Sequence, residues 1–375
     1  MAWQNTFNMI FGPGLFAGIS AGAWFRLLQA NRFAVHSRFV LRCLTATGAS
    51  LGNSINGRVE QWRRGHRFMQ ETVPPPLFIL GHWRSGTTHL HNLLSRDDRY
   101  AFPNLYQVFH PHSFLTTEAV NSRLVSFILP RTRFGIDNVK ISWRAPYEDE
   151  FAIATMTQLS PYVTMAFPRR HNFYDRFLTL ADASPKEIDQ WKAAMTTFVK
   201  KLTFKYHRPL ILKSPGHTCR IRLLLELFPD AKFVHIRRSP FEVFQSMKKM
   251  LAATLRFWQL QDSKCVDWEE RTIRQYREMY DAYFGERRLI RDGRLHEMSF
   301  EALEADPLVE LRRIYEALEL PAFQHFEPKL REYLSTLHGY QRNRLPQLSS
   351  DIRERLTREW SACFETWDYP TACYR

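Results

Sequence analysis

A four-residue apolar run, Leu77-Phe-Ile-Leu80, meets a glycine at 81, a second glycine at 86, and then the segment TTHLHNLL, Thr87 to Leu94. Few folds accept that order. The run reads as a buried strand, and Leu90, Leu93 and Leu94 recur at helical spacing, so a helix is expected from near Thr87. A glycine-bounded turn between the two aims the unpaired N–H groups of the helix N-terminus at the loop, which makes an anion site. The glycine spacing is that of the phosphate loop G-x-x-x-x-G-K-[ST], with Thr88 in its last position. The lysine position holds Thr87, however, and the strong cation of the loop is Arg84.

Further strands explain what this loop serves. PLILKSPGH (Pro209 to His217), AKFVHIRR (Ala231 to Arg238) and RLHEMSF (Arg294 to Phe300) read as strands, each followed by an apolar-periodic helix. Strand–helix repeats with short turns imply a parallel sheet with crossover helices, an α/β fold related to the P-loop proteins. A nucleotide hydrolase with such a loop needs Mg²⁺, held partly by an acid at a neighbouring strand end. Here the neighbouring strands end ILKS and FVHIRR, which offer cations and no acid. The anion is therefore expected to be neutralised by side chains, with no metal. After the third strand, Ser239 and Pro240 open a helix, with Glu242 expected to close a capping box. That leaves Arg238 before the cap, and Ser246 two turns into the helix, available to grip a further phosphate.

These segments resemble the PAPS-dependent sulfotransferases, whose donor is 3′-phosphoadenosine 5′-phosphosulfate. Trp83-Arg84-Ser85-Gly86-Thr87-Thr88 matches the family loop P-[KR]-S-G-T-[TS], and Arg238 with Ser246 matches the arginine-to-serine spacing of its 3′-phosphate segment. Ile211-Leu212-Lys213-Ser214 stands where cytosolic members read I-K-T-H, and MSFEALEADPLVELRRIYEALEL is similar to a later strand–helix of the family. Tyr340-Gln-Arg-Asn-Arg344 is similar to its late basic loop, so Arg342 and Arg344 join the expected nucleotide contacts. The likeness runs from about residue 77 to 345. It implies that Arg84, Ser85, Gly86, Thr87 and Thr88 hold the 5′-phosphosulfate, with Arg84 and Lys213 stabilising charge during in-line transfer. The product would be adenosine 3′,5′-bisphosphate. The acceptor would be a hydroxyl, less readily an amine, of a small molecule, a lipid or a carbohydrate.

The base is where the resemblance fails, because Pro215 occupies the position of the family histidine. The candidates are the acids of Ala145-Pro-Tyr-Glu-Asp-Glu150 (Glu148, Asp149 and Glu150), then His217, then His110 or His112. Two other readings stay open: a P-loop kinase or NTPase, and an inactive nucleotide-binding scaffold at a membrane.

The first 73 residues lie outside the resemblance and form a separate region, with the transferase domain expected over 74–375, a helical lid over about 101–205, and a C-terminal basic loop and helix over about 336–375. Residues 10 to 25 carry no charge but are too short, and too rich in glycine, to span a bilayer. Residues 26 to 67 hold eight arginines against one acid, Glu60, in a chain of net charge +14. That pattern is expected either to meet an anionic membrane surface or to pack on the protein's own core. Nucleic acid is not expected as a partner, since no recognition motif accompanies the charge. Five cysteines without a C-x-x-C pair fit free thiols in the cytoplasm, and the expected location is either the cytoplasm itself or the cytoplasmic face of a membrane.

Overall fold

The computed structural model describes residues 9–10, 12, 14–124, 142–337 and 347–371. Strands β1 (Leu77–Leu80), β2 (Ile211–Lys213), β3 (Lys232–Arg237) and β4 (Leu295–Ser299) form a sheet in the order β2-β1-β3-β4. Strand β1 runs parallel to β3 in the register Leu77↔Lys232 to Leu80↔His235, and β3 runs parallel to β4 from Phe233↔Leu295 to Arg237↔Ser299. All four residues of β1 are buried, as a strand covered on both faces requires. The expected parallel α/β sheet is present, flanked by helices.

The helices that frame the sheet and the two charged turns include α1 (Ala21–Ala30), α2 (Val40–Met69), α3 (Thr87–Leu94), α4 (Glu150–Thr157), α5 (Pro185–Tyr206), α6 (Pro240–Trp258), α7 (Trp268–Glu286) and α8 (Pro307–Ala317). The chain divides into two compact units. One comprises residues 1–74, 100–212 and 252–266; the other comprises 75–99, 213–251 and 267–375.

In the first unit α5 supplies the spine. Ser184 and Glu187 close its capping box, and Trp191, Ala194, Met195, Phe198, Val199 and Leu202 form its buried stripe against α2 and α4. Each large apolar side chain there stabilises the unit by about 1.5–3 kcal/mol. The uncharged N-terminal stretch is largely interior: Leu15, Phe16, Ile19 and Trp24 are buried, with Phe16 tilted against both Trp24 and Phe167. Gly18 passes so close to the Phe109 carbonyl that a Cβ would lie 1.8 Å from its oxygen. Arg42 is buried, donating to the carbonyls of Gln259 and Arg256 at 2.7 and 3.0 Å. Glu60 is buried too, ion-paired to Lys201 at 2.5 Å. Among the described residues no helix is long and apolar enough to cross a membrane.

In the second unit α3 packs on β1, α8 packs on β4, and α7 packs on the turn Pro215–Cys219. These contacts set the positions of the strand ends that carry the loop residues.

Candidate active site

The loop after β1 is built by two glycines that nothing else can replace. Gly81 has φ +140°, and a Cβ on it would lie 2.4 Å from the Ile236 carbonyl oxygen. Gly86 has φ +104°, and its Cβ would lie 2.3 Å from the Phe300 ring. Both positions combine left-handed backbone with no room for a side chain. Thr218 Oγ1 accepts the Gly81 N–H at 2.7 Å, and Ser85 donates its hydroxyl to the His82 carbonyl at 2.8 Å. Arg84 also has positive φ, +70°, strained for a residue with a Cβ. The turn then enters α3 at Thr87, as expected, with Gly86 at the N-cap position.

Three of the expected phosphate residues meet at this loop. Arg84 Nε donates to Ser246 Oγ at 2.8 Å. Arg238 Nη1 donates to the Arg84 carbonyl at 3.3 Å, and its guanidinium stands 4.5 Å from the centre of the Phe300 ring. The expected capping box is not formed. Arg238 Nε donates to Glu242 Oε2 at 2.8 Å, and the Ser239 N–H, which the box would give to Glu242, is donated to Glu301 at 3.0 Å. The charge of Arg238 draws Glu242 out of its capping role. Lys213, at the end of β2, is buried and donates from Nζ to Thr88 Oγ1 at 3.3 Å. The result is three cations (Arg84, Lys213 and Arg238), the hydroxyls of Ser85, Thr88, Thr218 and Ser246, and a helix N-terminus gathered around one turn.

His217 sits within Pro215–Cys219, fully buried, with its ring edge-on to Phe78 at 5.2 Å. His82, inside the loop, is buried as well, and burial pushes its pKa down to about 4. Arg342 and Arg344 lie outside the described residues.

The acidic turn belongs to the first unit. Tyr147 N donates to the Pro103 carbonyl at 2.9 Å, and Leu105 N donates to that of Ala145 at 3.0 Å, so backbone from another segment clamps the turn. Glu148, Asp149 and Glu150 are all buried at the start of α4. The Tyr162 hydroxyl donates to Glu148 Oε2 at 2.5 Å, and the Ser160 hydroxyl donates to Glu150 Oε1 at 2.7 Å. Tyr162 belongs to a cluster of rings: Phe151 lies 5.1 Å from Tyr147, 5.1 Å from Tyr162 and 5.3 Å from Trp258. His110 stacks on Tyr106 at 4.5 Å, and burial lowers both His110 and His112 to pKa values of about 4, with Lys201 adding to the effect at His112. Thr218, Ser160, Tyr162 and Trp258 were not singled out from sequence. Thr218 and Trp258 act through partners far away in the chain, Ser160 and Tyr162 through acids 10 and 14 residues before them, and no local spacing marks any of the four.

Among the described residues no group of His, Cys, Asp or Glu could hold a metal ion. A glycine-bounded turn lined by arginine and lysine, at the strand ends of a parallel sheet, has the form of an anion site of the P-loop class. A model of the sulfotransferase family matches residues 75–325, and the chain belongs to that family. It is 36% identical, over 95% of its own length and 91% of theirs, to the omega-hydroxy-beta-dihydromenaquinone-9 sulfotransferase Stf3 of Mycobacterium bovis and of Mycobacterium tuberculosis. Its fold is similar to that of sulfotransferase STF9 from Mycobacterium avium, with a TM-score of 0.70 at 19% identity, covering 94% of this chain and 97% of that one. It is also similar to STF1 from Mycobacterium tuberculosis, with a TM-score of 0.66 at 15% identity, covering 91% of each. The chain is thus a PAPS-dependent sulfotransferase that moves a sulfuryl group to a hydroxylated acceptor. That decides against the kinase and the inactive scaffold.

Proposed function

We propose that the acceptor is a terminal hydroxyl on a long apolar lipid of the quinol type, sulfated at the cytoplasmic face of an anionic membrane. What carries the reading is the 36% identity, sustained over 95% of the chain, to enzymes named for sulfating an omega-hydroxylated dihydromenaquinone. The ring cluster that reaches Glu148 through Tyr162 suits an apolar acceptor.

The donor supplies an activated sulfuryl group on a nucleotide phosphate. The backbone of residues 85–88 and the hydroxyls of Thr87 and Thr88 hold its 5′-phosphate. Arg84 neutralises the charge that grows on the bridging oxygen as the bond to sulfur breaks. A guanidinium keeps its proton at neutral pH, so this assistance is electrostatic. Lys213 adds a second cation for the transferring group, and Arg238 with Ser246 holds the 3′-phosphate. Glu148 takes the proton of the acceptor hydroxyl, and Tyr162 fixes its carboxylate in one rotamer. Glu150, turned to Ser160, keeps the start of α4 in place. His217 is set aside as base because it is wholly interior. The resemblance assigns the basic residues Arg342 and Arg344 to the nucleotide as well.

The test is calorimetric titration with adenosine 3′,5′-bisphosphate and with ADP, both in EDTA. Native protein is expected to prefer the bisphosphate, and Arg238→Ala to weaken it about 10- to 100-fold, the loss of a charged hydrogen-bonded contact. Equal binding of ADP would overturn the assignment of Arg238. For the acceptor, labelled sulfate should pass to an omega-hydroxylated menaquinol in detergent and not to a soluble sugar or phenol. Transfer to the soluble acceptors alone would sink the lipid reading.

A further inference from the structure

The helix α2 is amphipathic in the wrong sense for a surface helix in water. Its inward side carries Arg42, Ser50, Asn53 and Glu60 beside Ala46, Gly65 and Phe68, all buried. Its outward side carries Leu41, Leu44, Leu51, Ile55, Trp62 and Met69, all exposed. At 3.6 residues per turn these six fall within one stripe roughly 100° wide, opposite the buried side. Trp62 is 84% exposed, Ile55 62% and Leu44 60%, values far from those of incidental surface residues. Gly48 and Gly52 continue the stripe, with open space around them. Just before α2, Phe25 and Phe33 form an exposed edge-to-face pair, 5.6 Å between ring centres. Arg32 and Phe33 hold left-handed backbone, φ 56° and 52°, a conformation costly for residues with a Cβ.

The charge around this face has one sign. Arg26, Arg32, Arg38, Arg58, Arg63 and Arg67 are exposed, while the one acid of the region, Glu60, is buried on Lys201. A second copy of the chain docked here would set arginine against arginine with no carboxylate to pair them. Lipid phosphates meet both features at once: acyl chains cover the leucines, tryptophan sits at the headgroup level, and long arginine stems reach outward to phosphate.

We propose that the outward face of α2, with the Phe25–Phe33 pair, is an interfacial docking surface for an anionic bilayer, lying in the headgroup plane without crossing it. The proposal rests on the membrane reading above and gives it a defined surface.

The test is flotation of the full chain with phosphatidylcholine vesicles, alone or mixed with phosphatidylglycerol. Binding is expected to the mixed vesicles and to fall about fivefold for each of Arg58→Gln and Arg63→Gln. The triple variant Leu44→Ser/Ile55→Ser/Trp62→Ser should lose at least about tenfold. Quenching of tryptophan emission by brominated lipid should drop in Trp62→Phe. Three outcomes overturn the proposal: no flotation of native protein, equal flotation of the triple variant, or a native dimer by light scattering that the triple variant dissolves into monomers. Titration with adenosine 3′,5′-bisphosphate on the same samples separates the two readings. Intact nucleotide binding without flotation removes the docking surface and leaves the transferase; loss of nucleotide binding in the native protein removes the transferase reading itself.

Discussion

The loop at 81–86 and the turn at 145–150 are both short and both carry the charge expected at a site, yet they are held by different means. The loop is shaped by backbone. Its two glycines sit at φ values and at close approaches that exclude any side chain. The acidic turn is shaped by partners outside it: a backbone clamp at Pro103 and Leu105, and hydroxyls from Tyr162 and Ser160. A backbone-made site writes itself into local residue types. A site made by side-chain contacts leaves only its charged members visible.

Substitutions sharpen that contrast. The largest effect is expected at the turn. Glu148→Gln should lower kcat at least about 10²-fold, the usual yield of a positioned base, with affinity for adenosine 3′,5′-bisphosphate unchanged. A smaller loss than that of Glu150→Gln would exchange the roles given to the two acids. At the loop the penalty should appear in folding as well as in binding. Gly81→Ala should cost about 2 kcal/mol or more in a urea melt, because positive φ and the Ile236 carbonyl both oppose it. A near-neutral melt would show that the loop bends more freely than its contacts imply.

Tyr162→Phe should have a smaller effect than either, removing one hydrogen bond to Glu148 for roughly tenfold in kcat and little in nucleotide affinity. An equal fall in stability and activity would make Tyr162 a packing residue only. A pH effect is shared by both units. His82 in one and His110 and His112 in the other have folded pKa values of about 4, below the ordinary 6.5, because burial disfavours their charged form. Their stabilising share is complete above pH 6.5 and declines as pH falls toward about 4, since only the unfolded chain then takes the proton. The slope is about 1.4 kcal/mol per pH unit for each histidine. Urea midpoints between pH 8 and 5 should fall accordingly, and His110→Phe should remove one such share. An unchanged slope would mean that His110 is protonated as readily folded as unfolded.

Much of the transferase core was legible because its geometry is local. Gly81, Gly86 and Thr87 announce a strand, a left-handed turn and a helix start within eleven residues of one another, and Arg238 and Ser246 lie eight residues apart across one strand–helix junction. The capping box at Ser239 was misread because Arg238, chosen for phosphate, also attracts Glu242. Nothing in the spacing of charges could weigh those two pulls.

The sequence alone determined the parallel sheet, the anion-binding turn and the cationic character of the site, since backbone conformation and short-range periodicity depend on neighbours in the chain. Only the tertiary structure decided that Glu148 is held by Tyr162, that His217 lies in the interior, and that α2 turns its polar side inward and its leucines outward. Those outcomes depend on which distant side chains reach one another, and long-range contact is set by packing, which residue order does not display.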